Sequence, residues 1–219
     1  LEGKKISTSK NYAIWIKDLI GKYEPDSIRY FFIANGPEKK DADFSWREYI
    51  NSHNGELLGA YGNFVNRSLA FIGKYWDGVV PQGTLKPETE QKIAALYGRV
   101  GKQIEDGAFK DALDEIFEFI RSANKFFDSE QPWITRTTDE VKCQDTLYQC
   151  VQIIANLAVL LAPFLPFSSE KVSKWLSIEL NWAQKSVPAG FKLPEVEILF
   201  QRIDKKVIET ESEKLKAIL

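Results

Sequence analysis

Across 46–161 the apolar residues recur every three or four positions in four successive stretches, with only short breaks between them. That period belongs to helices with one buried face, and short breaks place successive helices antiparallel. The chain therefore reads as mainly α, an antiparallel helical bundle with little strand. The first stretch covers 46–76. Ser45, with Glu48 three residues on, has capping-box spacing at its start, and Tyr49, Leu57, Leu58, Tyr61, Phe64, Val65, Leu69 and Ile72 form its inner face. Gly55, Gly59 and Gly62 point to a bend within it. The second covers 88–106 with Ile93, Leu96, Val100 and Ile104. The third covers 108–128 with Leu113, Ile116, Phe117, Ile120 and Phe127. The fourth is capped by Asp139 and reaches Leu161, with Val141, Leu147, Val151, Ile154, Leu157 and Val159 inward.

The flanks are shorter and more polar. Residues 1–11 read as a basic, hydroxyl-rich loop, and 12–23 as loosely helical through Ile14, Trp15, Leu19 and Ile20. A short helix over 27–35 turns Ile28, Phe31 and Phe32 inward before Gly36-Pro37 stops it. Residues 129–133 form a turn, and 81–87 a linker. After Pro163 and Pro166 a short helix begins at Ser168 and Ser169 and ends near Leu176. Residues 186–202 are irregular, with 196–200 either a short strand or a docking segment. The last 17 residues, 203–219, form a charged, half-exposed helix. The expected division is a lead-in over 1–43, the bundle over 44–185 and a tail over 186–219.

Composition removes several function classes. With 44% apolar residues the chain is not disordered. Its longest apolar run, 151–167, is broken by Gln152 and Asn156 and closed by prolines. It is shorter than the ~20 residues a membrane span needs, so it predicts a buried helix and no membrane partner. No secretory leader is visible at the N-terminus. Cys143 and Cys150 are seven apart on one helix, ~10 Å along its axis. That is too far for a disulfide and suits a reducing, cytoplasmic setting. His53 is the only histidine, which excludes histidine-rich metal bundles, and it receives no role. Trp15, Trp46, Trp76, Trp175 and Trp182 read as core or interface. A net charge of −2 gives no global nucleic-acid signal. The chain has no methionine, even at position 1, as expected of a piece of a longer protein.

Three places carry chemistry. The first is the loop Lys5-Ile6-Ser7-Thr8-Ser9-Lys10, whose ammonium and hydroxyl groups suit a polyphosphate, though a solvated tail has the same composition. The second is Asn63 with Arg67, one turn apart on a single helix. Asn offers a donor and an acceptor and Arg a planar fork, enough to read a base edge; an ordinary polar face is the alternative. The third is Pro132-Trp133, where an exposed indole is a stacking platform and a folded-back one is a plug.

These three occur in an order that resembles a known family. Lys5-Ile-Ser-Thr-Ser9 resembles the signature loop of class I aminoacyl-tRNA synthetases. Glu24-Pro-Asp-Ser-Ile-Arg-Tyr-Phe-Phe32, Asp41-Ala-Asp-Phe-Ser-Trp46, Gly62-Asn-Phe-Val-Asn-Arg67, Gln131-Pro-Trp133 and Ala162-Pro-Phe-Leu-Pro-Phe167 resemble the methionyl-tRNA synthetases. The resemblance implies the C-terminal part of such an enzyme: signature loop, stem-contact lead-in and anticodon-binding bundle. It implies that Lys5, Ser7, Thr8 and Ser9 occupy the ATP-loop positions, with threonine where the family's second lysine acts on pyrophosphate. It further implies that Asn63, Arg67, Pro132 and Trp133 recognise the CAU anticodon. ATP, methionine and the methionine tRNA would belong to the parent enzyme. Its Rossmann catalytic domain and its zinc-bearing insertion are not in this sequence, so no chemistry, bound cofactor or metal is expected of this portion alone. The partners implied are the tRNA for methionine and that catalytic domain. The alternatives weighed are another class I synthetase (for leucine, isoleucine, valine or cysteine) and a helical protein-interaction scaffold.

Overall fold

The computed structural model describes residues 1–38 and 41–217. Helices α1 (Ile16–Ile20), α2 (Pro25–Ala34) and α3 (Trp46–Ser52) lead into a π-helical segment, His53–Gly62, which continues without a break into α4 (Asn63–Tyr75). Then follow α5 (Pro87–Glu105), α6 (Phe109–Glu130), α7 (Pro132–Thr138), α8 (Glu140–Leu161), α9 (Pro166–Leu176) and α10 (Lys206–Lys216). Among the described residues there is no strand, only isolated bridges from Ser7 to Tyr12 and from Val79 to Lys192. Among the described residues no helix is long and apolar enough to cross a membrane.

Gly55, Gly59 and Gly62 of the first long helix lie in its π-helical stretch, where the turn is wider than in an α-helix. A Cβ on Gly59 would sit 3.0 Å from the Asn54 carbonyl oxygen, and one on Gly62 would sit 3.0 Å from that of Leu57. Both carbonyls lie five residues back, the spacing that π-helical hydrogen bonds impose. Gly62 also lets Phe200 approach, since its Cβ would come within 3.2 Å of that ring. The start of the rod that α3, the π segment and α4 form together differs from the capping-box reading. Ser45 makes no side-chain cap; the Trp46 amide donates instead to Glu2 Oε1 at 2.8 Å.

The apolar faces close on two cores. The large one gathers Leu57, Tyr61, Phe64, Leu69 and Ile72 with the inner faces of α5, α6, α8 and α9. The smaller one joins Tyr12, Leu19, Ile28, Phe31, Trp46, Tyr49 and Ile50 to Leu215 of α10. The tail is therefore shared between the two: Val187, Leu193, Leu199 and Phe200 enter the large core, whereas α10 packs on the lead-in. The 196–200 run is a docking segment rather than a strand, with Ile198 left outside at 63% exposure. Other expected inward residues face solvent, including Phe32 and Val141. Tyr30, two residues before Phe32, is buried in the large core instead. Trp15 and Trp182, read as core or interface, are both more than 40% exposed. Only 16–20 of the expected 12–23 helix forms.

The polar residues that interrupt the apolar run of α8 are clasps. Gln152 donates to the Val187 carbonyl at 2.8 Å and accepts from its amide at 2.9 Å. Asn156 does the same to Lys185, at 2.9 and 2.8 Å. Each side-chain amide thus pairs with both the N–H and the C=O of one residue, the satisfaction a buried polar side chain requires. Between the cores, α2 grips the α8–α9 corner. Buried Asp26 accepts from the Ser168 amide at 2.6 Å and the Phe167 amide at 3.3 Å, capping α9 from a distance. Arg29 donates to the Phe164 and Pro163 carbonyls at 2.8 and 2.9 Å, where α8 ends.

His53, at the start of the π segment, is a buried, hydrogen-bonded helix residue. Its Nε2 meets the Gln201 carbonyl at 2.7 Å, so Nε2 carries the proton and Nδ1 accepts from Ser27 Oγ at 2.8 Å. Ser27 Oγ also lies 2.9 Å from the Tyr49 hydroxyl. Burial holds the imidazole below its ordinary pKa, with the Gln201 carbonyl opposing in part. Among the described residues no group of three or more His, Cys, Asp or Glu is placed to hold a metal ion.

Candidate nucleic-acid interface

Asn63 and Arg67 lie on the solvent side of α4, whose other face carries Phe64, Val65, Leu69 and Ile72 into the large core. The rod holds them from its buried side, so the two polar side chains emerge from a fixed backbone. Asn63 Nδ2 donates to Asn124 Oδ1 at 3.4 Å, which leaves the carbonyl half of the amide outside that bond. Asn124 is itself fixed by the Ala60 and Ile120 carbonyls, both at 3.1 Å.

Arg67 is held on two sides. Its guanidinium carbon lies 4.5 Å over the Phe127 ring and 5.9 Å from the Trp133 ring. Its Nη2 donates to Asp128 Oδ1 at 2.6 Å. The side chain is 30% exposed, so the ion pair is screened and serves to aim the fork more than to stabilise the fold. Four further N–H donors remain on the guanidinium beyond the one aimed at Asp128.

Trp133 reaches this place through an abrupt turn. The turn expected over 129–133 is a single residue, Gln131, at φ 48°, and Pro132 already begins α7. Proline suits the first helical position, where its missing N–H is no loss. Pro132 is buried, and its carbonyl accepts from the Cys143 thiol at 3.5 Å. Burial pushes the Cys143 thiol up, and pushes that of Cys150 up to about 12; both thiols are free. Trp133 itself is 45% exposed, its ring 6.2 Å from that of Phe127. It is not a plug.

The structure thus brings Arg67 and Trp133 together, with Asn63 one turn away and Pro132 beneath. Phe127 and Asp128, which hold Arg67, had no role in the sequence reading beyond core for Phe127. Their position in the last turn of α6, just before Gln131-Pro132-Trp133, was the available signal. Arranged this way, the residues offer planar donors, an amide oxygen and a half-exposed indole on one face, the set that reads and stacks an unpaired base.

The basic loop forms a separate feature. Ser7 and Tyr12 exchange backbone hydrogen bonds at 3.0 and 2.8 Å, closing a tight hairpin in which the Asn11 amide donates to the Thr8 carbonyl at 3.0 Å. Lys5, Thr8 and Ser9 are exposed and Ser7 half-buried. The Ser7 and Ser9 hydroxyls lie 3.2 Å apart, and Trp15 Nε1 donates to Asn11 Oδ1 at 3.1 Å.

Known proteins resemble the chain over nearly all of its length. Residues 1–69 match a family described as class I tRNA synthetases (M). The chain is 54% identical to methionine–tRNA ligase 1 of Alkaliphilus oremlandii over 216 residues, 98% of this chain and 40% of that protein. It is 55% identical to methionine–tRNA ligase of Bacillus cereus over 217 residues, again 98% of this chain and 40% of the relative. It thus spans about two fifths of the length of these curated relatives. The apo methionyl-tRNA synthetase of Mycobacterium tuberculosis superposes with a TM-score of 0.74 at 26% identity, covering 82% of this chain and 39% of that one. The same enzyme in complex with methionyl-adenylate gives 0.73 at 27% identity, over 81% and 37%. Residues 80–218 match the anticodon-binding domain of methionyl-tRNA ligase, and on that match the chain belongs to the methionyl-tRNA ligase family.

Proposed function

We propose that this chain is the tRNA-reading part of a methionine–tRNA ligase, and that it recognises the CAU anticodon through Asn63, Arg67, Pro132 and Trp133. The observation that carries the reading is the Arg67 guanidinium, pinned between Phe127 and Asp128 beside a half-exposed Trp133. A cytosine at the first anticodon position presents a carbonyl, a ring nitrogen and an amino group. The free donors of Arg67 match the first two, and the Asn63 carbonyl accepts from the third. Trp133 stacks on the base, worth about 1–3 kcal/mol.

The parent enzyme joins methionine to its tRNA with ATP, and the catalytic domain that does so is a partner of this chain within one protein. Lys5, Ser7, Thr8 and Ser9 face the ATP phosphates from the hairpin. With threonine at position 8, that charge falls to Lys5 and Lys10. Two buried, free thiols fit a cytoplasmic protein.

The test is a double-mutant cycle on a CAU stem-loop RNA. Arg67→Ala is combined with replacement of the first anticodon cytosine by uracil, with circular dichroism to check folding. Each change alone should weaken binding at least tenfold, and the two together little more than either. Losses that multiply independently would sink the assignment of Arg67 to that base.

A further inference from the structure

We propose that Tyr75 and Arg136 form a second nucleotide subsite, which takes a base and its phosphate from the same single-stranded loop that Arg67 reads. The inference rests on the RNA reading above and extends it along the surface.

Arg67, Phe71 and Tyr75 are spaced by four on α4 and so stack on one face, with Tyr75 ~12 Å beyond Arg67. Trp133 and Arg136 are spaced by three on α7. The two stripes meet twice. Arg67 lies 5.9 Å from the Trp133 ring, and Arg136 places its guanidinium carbon 4.3 Å above the Tyr75 ring. Phe71 lies between the two meetings, 4.6 Å from Tyr75. The two helices thus carry two clusters of aromatic rings and guanidinium groups along one face, linked by the four-residue spacing of Arg67, Phe71 and Tyr75.

The two ends differ in charge. Arg67 is partnered by Asp128. At the far end, Arg136 and Lys74 both lean on Tyr75, with Lys74 Nζ 5.0 Å from its centroid. Among the described residues neither cation pairs with a carboxylate, and Tyr75 is 38% exposed. Two unneutralised cations on one accessible ring match an occupant with a negative charge beside a flat apolar face. A nucleotide has both: the phosphate meets Lys74 and Arg136, and the base stacks on the planar guanidinium or the phenol ring. Stacked nucleotides advance ~3.4 Å each, and extended ones roughly twice that. A span of ~12 Å therefore keeps both nucleotides within one loop. Nothing at Tyr75 selects among bases, because every base has a face to stack and every nucleotide a phosphate.

The experiment measures binding of the whole chain to a CAU stem-loop, and to the same loop with its first anticodon base changed, across a salt series. Tyr75→Leu and Arg136→Gln should each weaken binding of both RNAs by about five- to thirtyfold, leaving their ratio unchanged. Arg136→Gln and Lys74→Gln should each lower the slope of log affinity against log salt by roughly one. Arg67→Ala should instead collapse the ratio between the two RNAs. If Arg67→Ala acts as stated while Tyr75→Leu and Arg136→Gln bind as the parent does, the second subsite is wrong and the anticodon reading stands. If affinity falls in Arg136→Gln with the salt slope untouched, Arg136 only props Tyr75, and the phosphate contact is overturned. If no variant changes binding, both readings fail. Arg136→Gln with an unaltered melting temperature guards against misfolding of Tyr75→Leu.

Discussion

The small core gathers residues far apart in the chain: Leu19 and Ile28 of the lead-in, Trp46 and Tyr49 of the rod, and Leu215 near the end. The large core is built mainly from helices that follow one another along the chain, α4 to α6, α8 and α9, with Tyr30 and the 187–200 segment added at its edge. The surfaces they carry differ accordingly. The hairpin over 5–12 stands on the small core through the buried Tyr12 and presents exposed lysines held by two backbone bonds. On the α4–α7 surface Arg67 is aimed by Asp128 and Phe127, and Asn63 by Asn124, which two backbone carbonyls hold in turn. A preorganised surface suits recognition of one base among four, because little ordering is left to do at binding. A hairpin with free ammonium groups suits a polyanion, where charge counts for more than direction.

The contrast depends on the grip of α2 on the α8–α9 corner. Asp26→Ala removes the acceptor for the Ser168 and Phe167 amides and should destabilise the fold by about 2–3 kcal/mol, with Asp26→Asn losing less. Urea unfolding measures it; an unchanged midpoint would mean the two cores are joined elsewhere. Next in size is Trp133→Ala, which should cost the stem-loop complex about 1–3 kcal/mol while leaving the melting temperature within a degree or two. Fluorescence anisotropy and a thermal melt on the same preparation separate these. A large fall in stability would make Trp133 part of the core after all.

Much of the large core was legible because periodic apolar residues on long helices leave few alternatives. Leu69, Ile72, Ile116 and Phe117 could face only inward. The small core was not, since its partners are too distant in sequence for any local pattern to join Leu215 to Trp46. Asn63, Arg67 and Trp133 were singled out by residue type, spacing and family resemblance, and the structure places Arg67 beside Trp133. What aims them was not legible, because the Asp128–Arg67 pair spans 61 residues. His53 was given no role for a similar reason: its partners Ser27 and Gln201 come from opposite ends of the chain.

His53 supplies a smaller effect that also separates the regions. Its burial holds the folded imidazole below the ordinary value near 6.5. The unfolded chain therefore takes up the proton first as pH falls. The contribution to stability is complete above about pH 6.5 and declines below it, by at most about 1.4 kcal/mol per pH unit. As the only histidine, His53 should account for most of the change between pH 7.5 and 5.5. Urea midpoints at those two values should fall for the parent chain and move much less for His53→Gln. An identical slope in both would place the titration on another group.

The smallest expected effect concerns the hairpin. Ser9→Ala removes one exposed hydroxyl that lies 3.2 Å from Ser7 Oγ, and the backbone bridge between Ser7 and Tyr12 does not depend on it. Stability should therefore stay within about 0.5 kcal/mol, as for surface substitutions that disturb no cap, core or buried bond. Stem-loop affinity should not change at all, since the residues proposed to touch RNA stand on the other core. In the full-length ligase the same substitution should act on ATP, raising its KM while the KM for tRNA holds. A change in stem-loop affinity would show that the hairpin and the α4–α7 surface communicate, and the division of labour between the two cores would have to be redrawn around α2 and the rod, which both touch the two cores.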